Sequence, residues 1–355
     1  MTEYSTADPG DIVAGYRCAF THRSAALAAS VMGLAVLMVL DLALGPSGLS
    51  VAKVWATLLA GPVGDDRIAA TILWQLRLPQ TLMGVLVGGC LGLAGLQMQT
   101  ILDNPLASPF TLGFSAAAGF GAALAILFGV HLPAPGYVAV PLSAFAATLA
   151  ATSLVYGMAR LRGATPEILI LAGITVLFFF QALQSLLQFL ASPEVLQQIV
   201  FWLFGSLLKS TWTSVALLAG LTMLCLPFIA RDVWRLTTLR LGDATAASLG
   251  LGVDALRRRT FIVVAALTAG AVCFVGTIGF VGLIAPHAAR TLVGEDHRFA
   301  LPMSAIIGAV MLISASLFGK LVSPATVIPI GIITAVAGVP MLFAIIARRG
   351  RAGQP

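Results

Sequence analysis

Charge is scarce in this chain of 355 residues: 10% are Asp, Glu, Lys or Arg, 59% are hydrophobic, and the mean hydropathy is +1.00. A soluble domain carries roughly 25% charged residues, so a water-facing surface of ordinary composition is excluded. Cysteine is rarer still. Cys18, Cys90, Cys225 and Cys273 lie far apart without a C-x-x-C pair, which supports neither a disulfide scaffold nor a cysteine metal site. Catalytic signatures are missing as well. Gly319 and Lys320 are followed by Leu321 with no phosphate-loop glycine before them, and no H-E-x-x-H, G-x-S-x-G or dinucleotide loop occurs. No catalytic residue, metal ligand or cofactor is therefore expected in this chain, and active transport fuelled by ATP would need an ATPase on another chain. Carboxylates inside apolar runs are few, with Asp41 the one well inside. That weakens the case for a proton-driven carrier, which places an acidic relay in the bilayer; an ion-coupled secondary transporter stays the rival function.

What is present is apolar length. A membrane-crossing helix needs about 20 mainly apolar residues. Nine runs qualify: 25–44, 78–98, 110–130, 137–158, 168–190, 212–230, 260–282, 301–319 and 328–347. Leu283 to Leu292 is too short and polar to read by hydropathy, and suits a short helix buried in protein. After Pro193, residues 198–206 suit a short apolar helix dipping into the membrane without crossing it. The fold class is thus an all-α polytopic membrane protein, one domain over residues 1–355.

The net charge of +6 is spread between apolar runs, which argues for membrane orientation and against nucleic-acid contact. With the N-terminus inside and the short helix crossing, one side collects Arg17, Arg23, Arg160, Arg162, Arg231, Arg235, Arg240, Arg257, Arg258, Arg259, Arg290, Arg298, Arg348, Arg349 and Arg351, fifteen of twenty basic residues. The positive-inside rule then makes both termini cytoplasmic: a polar N-terminal segment 1–24, which no clean small-residue cleavage site follows, a basic loop 231–259 and a tail 348–355.

Polar and small residues inside the spans ask for reasons. Gly84, Gly88 and Gly92 recur every four residues and line one helix face, which lets another backbone approach closely. Gln97 and Gln99 serve either a pathway or helix-to-helix hydrogen bonds. Gln181, Gln184 and Gln188 share one side of a helix and suit a hydrated translocation wall or interhelical bonding. Pro105 and Pro109 break the chain between two spans. Leu241 to Leu251, with Asp243, forms a short helix within the basic loop, either a handle for a soluble partner or a solvated loop. His287 stands without a paired ligand and suits structural bonding better than a metal.

Ordered motifs join these observations. They are Arg77-Leu78-Pro79; Gln97 through Asn104-Pro105-Leu106-Ala107-Ser108-Pro109 to Leu112-Gly113; Trp202-Leu203-Phe204-Gly205-Ser206; Gly279-Phe280-Val281-Gly282-Leu283-Ile284-Ala285-Pro286-His287 with Arg290; and Gly338-Val339-Pro340. In these the chain, from about Leu49 to Arg349, resembles the FecCD-type (type II) permeases of ABC importers for ferric siderophores, haem and vitamin B12. The resemblance implies ten transmembrane helices, with Leu283 to Leu292 the short eighth, in a bacterial inner membrane. It implies a second permease subunit, two cytoplasmic ATPases that hold ATP and Mg, and an extracytoplasmic binding protein. Leu241, Gly242, Asp243, Ala246, Leu249 and Gly250 fall on the family's ATPase-coupling region. Arg77, Gln80 and Lys320 fall where the binding protein docks; Gln80 replaces a usual arginine and Val327 a usual glutamate. Asn104, Pro105, Gly282, Pro286, His287 and Arg290 carry the structural motifs. Ferric siderophore is the cargo most family members carry, with haem and cobalamin as alternatives.

Overall fold

The computed structural model describes residues 9–352 apart from 46–47, 63, 65, 130–135, 162, 164 and 323–327. Val327, residues 1–8 and the end of the tail, 353–355, lie outside the described residues. Among those described, every regular element is helical: α1 Pro9–Ala43, α2 Val51–Ala60, α3 Arg67–Ala70, a π-helical stretch Thr71–Arg77, α4 Leu78–Ile101, α5 Phe114–Phe128, α6 Gly136–Arg160, α7 Pro166–Leu190, α8 Pro193–Leu203, α9 Trp212–Leu239, α10 Asp243–Ser248, α11 Val253–Val275, α12 Val281–Val293, α13 His297–Val322 and α14 Ile330–Ala352.

A helix falls on each of the nine apolar runs and on the short tenth. Among the described residues seven stretches are long and apolar enough to cross a membrane: Val13–Ala43, Arg67–Ile101, Val138–Arg160, Pro166–Leu190, Trp212–Leu239, Val253–Val275 and His297–Val322. Phe114–Phe128 and Ile330–Phe343 are shorter apolar helices. At 1.5 Å per residue the 13 residues of α12 reach about 20 Å, less than a hydrocarbon core of about 30 Å.

Boundaries differ from the hydropathy reading where local chemistry overrides it. Residues 9–24 are not a separate segment but the first half of α1. Most of 231–259 is helix, because α9 runs on to Leu239 and α11 begins at Val253. The short helix expected at 198–206 instead starts at Pro193, where Ser192 caps it by accepting from the Val195 N–H at 3.5 Å. The seventh apolar run stops being helical at Val275. Gly276 to Phe280 is unwound, with Phe280 itself in a left-handed conformation (φ 67°).

Most of the apolar length of α4 and α11 is buried, whereas α1 and α7 leave most of theirs exposed. The glycine row of α4 explains its central place. A Cβ on Gly88 would sit 2.7 Å from the Ala309 Cα, one on Gly92 would strike the Ser304 carbonyl, and one on Gly95 would strike that of Gly282. Small residues thus bring α4 into backbone contact with α13 and α12, where packing replaces the hydrophobic drive that lipid cannot supply. The Ser304 hydroxyl adds a hydrogen bond to the Gly92 carbonyl at 2.8 Å. On the other flank α5 packs on α6 and α7, and α8 rests on α5.

Candidate functional site

At the end of the molecule where α4 finishes, α9 turns at Arg240 through Gly242 (φ 93°) into α10, and Gly250 (φ 81°) turns the chain back into α11. Both torsions suit glycine because a Cβ is disfavoured there. Leu241, Gly242, Asp243, Leu249 and Gly250 are exposed, and Ala246 is buried and anchors α10. Arg257, 5% exposed, holds this turn from inside. Its Nη2 donates to both oxygens of Asp243 at 3.0 and 2.9 Å, and its Nε donates to the Ile101 carbonyl, the last residue of α4, at 2.9 Å. A planar guanidinium suits this fork; a lysine could not make it.

Arg240, on the other side of α10, lies 3.6 Å from an Asp103 oxygen and 3.2 Å from a Glu295 oxygen. Glu295 also pairs with Arg290 of α12 at 3.1 Å, and Arg290 Nη1 donates to the Gln99 Oε1 at 2.6 Å. Gln99 in turn donates to the Leu283 carbonyl at 3.2 Å. His297 Nε2 meets the Thr100 hydroxyl at 2.8 Å. Asp296 is partly buried, which pushes its carboxyl up. Hydrogen bonds from Arg298 and the charges of Arg298 and Arg23 outweigh this and hold it below the usual carboxylate range. The Asn104 Oδ1 accepts from the Leu106 N–H at 2.9 Å, fixing the turn that Pro105 begins. In α12, Gly282 lies against Leu91 and Gly95 of α4, and Pro286 is buried. His287, half-buried, offers its carbonyl to the Thr291 hydroxyl at 3.0 Å.

At the other end of α4 stand Arg77, Gln80 and Lys320, the residues expected where a binding protein docks, and two of them are engaged within the chain. Arg77 is 6% exposed, and its Nη1 donates to the carbonyls of Leu42 and Ala43 at 2.6 and 3.1 Å, closing the end of α1. Lys320 donates to Asp41 Oδ1 at 2.7 Å, and Asp41 also accepts from Thr81 at 2.5 Å and Ser316 at 2.8 Å. Gln80 is half-buried beside them. Among the described residues, the exposed cations at this end are Lys53, already paired with Asp66 at 2.6 Å, and Arg67 and Lys209.

The glutamines divide. Gln97 is buried and donates to the Leu93 carbonyl of its own helix at 3.1 Å, whereas Gln99 ties α4 to α12. Gln181 is exposed on α7, and Gln184 and Gln188 are half-buried. The Gln184 amide oxygen lies where a Cβ on Gly119 would be, so it packs against α5. Sequence reading did not single out Arg257, Arg240 and Glu295 as site residues. Their partners lie on other helices, and spacing along one chain does not reveal such pairs.

The FecCD transport family model matches residues 33–348. The iron(3+)-hydroxamate import system permease protein FhuB of Bacillus subtilis is 37% identical over 317 residues, 88% of this chain and 80% of that one. The cobalamin import system permease protein BtuC of Halobacterium salinarum is 35% identical over 287 residues, 81% of this chain and 76% of that one. A solved structure described as an inward-facing conformation of a metal-chelate type ABC transporter superposes with a TM-score of 0.80 at 31% identity, covering 91% of this chain and 98% of that one.

Proposed function

Because the chain belongs to the FecCD transport family, we propose that it is the membrane permease of an ABC importer for ferric siderophores, driven by ATPases on partner chains. The observation that carries this reading is α10: an exposed short helix at the arginine-rich end, braced from within by Arg257 so that a load on it does not simply bend it away. Leu241, Gly242, Asp243, Leu249 and Gly250 are the surface an ATPase would grip, and Ala246 seats the helix. Two permease subunits, identical or paired with another, enclose the passage. Both termini lie in the cytoplasm, ATP and Mg belong to the partner subunits, and a binding protein delivers cargo at the end that holds Asp41 and Arg77. The permease does no chemistry on the cargo; alternation follows from different partner affinities in two states. Gln181, with Gln184 and Gln188 beside it, is the polar wall of the passage.

The test is uptake by proteoliposomes holding the chain co-purified with its partner ATPase and binding protein. Ferric hydroxamate should enter only with internal ATP. Cobalamin import is the second reading, favoured by the Halobacterium relative, and haem is the third cargo to try in the same vesicles. Uptake by the chain alone under an ion gradient would establish a secondary transporter instead.

A further inference from the structure

The arginine-rich end holds a connection that a docking handle alone does not need. α10 rests on α9 and α11, yet the arginines that flank it both reach past those helices to the end of α4. Arg257 bonds the Ile101 carbonyl while gripping Asp243, and Arg240 pairs with Asp103 two residues further on. Arg257 is buried and bonds the Ile101 carbonyl from inside, while Asp243 meets it from the exposed side of the turn. Beyond this end α4 has little slack, because Gly88, Gly92 and Gly95 put its backbone directly on α13 and α12 with no side chains between to absorb a shift. A displacement of α10 therefore has a short rigid route into the centre of the molecule.

We propose that Arg257 is a positioning strut that carries the displacement of α10 to the C-terminal end of α4, with Arg240 as a second tie, so that α4, α12 and α13 move together as the receiver of the ATPase stroke. This rests on the importer reading. It adds which helix receives the force and which side chain delivers it. A purely structural Arg257 would only keep α10 folded, and losing it would then remove ATPase assembly and hydrolysis along with any response of α4.

The experiment is hydrogen exchange of residues 98–108 in the purified complex with its ATPase, with and without Mg-ATP and vanadate, alongside the rate of ATP hydrolysis. Arg257→Lys keeps the charge and loses the fork; Arg240→Gln loses the second tie. In Arg257→Lys the hydrolysis rate stays close to wild type while the nucleotide-dependent change at 98–108 falls at least about fivefold, the lower end of a typical coupling energy; Arg240→Gln gives a smaller fall. The proposal is overturned if Arg257→Lys keeps a wild-type response, or if response and hydrolysis vanish together. If the lysine variant does not assemble, an unchanged response in Arg240→Gln overturns it equally. A wild-type complex that hydrolyses ATP with no response at 98–108 also removes the strut while leaving the importer reading standing. A chain that binds no ATPase removes both.

Discussion

Lys320 and Asp41 stand 279 positions apart in the chain and 2.7 Å apart in space. Asp41 is 1% exposed, so the pair joins α1 to α13 in a region with little water to replace either charge. Removing one partner of such a pair strands the other.

Lys320→Met should therefore destabilise the protein by about 3 to 5 kcal/mol, the range for breaking a buried pair. The double variant with Asp41→Asn should recover much of that loss, since no unpaired charge is left. Unfolding in mixed micelles across the mutant cycle measures the difference. A loss in the double variant equal to the sum of the two single losses would show that the pair contributes little.

Arg77→Glu separates an internal role from a docking role. It removes the donor from the Leu42 and Ala43 carbonyls and sets a second carboxylate near Asp41, so folded yield and unfolding midpoint should both fall. A variant that is fully stable, yet binds its partner protein more weakly at low ionic strength, would return Arg77 to the surface role.

Gly88 and Gly89 are neighbours with opposite tolerances. A side chain at Gly88 would meet the backbone of Gly308 and Ala309, whereas one at Gly89 would find Ala305 at 3.9 Å, an ordinary contact. Gly88→Leu should cost more than about 3 kcal/mol, the upper end of ordinary overpacking, and Gly89→Ala should lie within about 0.5 kcal/mol of wild type. Detergent-extracted yield and unfolding midpoints distinguish them.

The glycine row shows what sequence could reveal. Its period of four identified a face for close packing before any partner was known, and the long apolar runs marked the helices because lipid tolerates few alternatives. The short helix at Asp243 was visible for the same local reason, as a small-residue segment between glycines. What stayed hidden was relational. Nothing in the spacing of Asp41 and Lys320, or of Arg257 and Ile101, indicates that they meet. The spacing of Arg77 likewise gives no sign that it meets the Leu42 and Ala43 carbonyls at the end of α1. Gln97 left two roles open for a similar reason, since a buried amide and a pathway amide have the same sequence.

The pathway role proposed for Gln181 is the easiest to test without disturbing the fold, because the residue is exposed on α7. In a variant with Cys18→Ser, Gln181→Cys should react with a membrane-impermeant maleimide in proteoliposomes of the full complex, at a rate that changes with bound nucleotide. Cys90, Cys225 and Cys273 are buried and supply little background. No labelling in any nucleotide state would place this face of α7 in lipid.

The brevity of α12 bears on how the protein is made. A segment of 13 residues with Arg290 in it is a poor substrate for insertion during synthesis, since its ends would strand backbone polar groups in hydrocarbon. It can settle only once α4, emerging earlier, and α13, emerging just after, provide walls to shelter it. The order of synthesis thus places one wall of that shelter, α13, after the helix it covers.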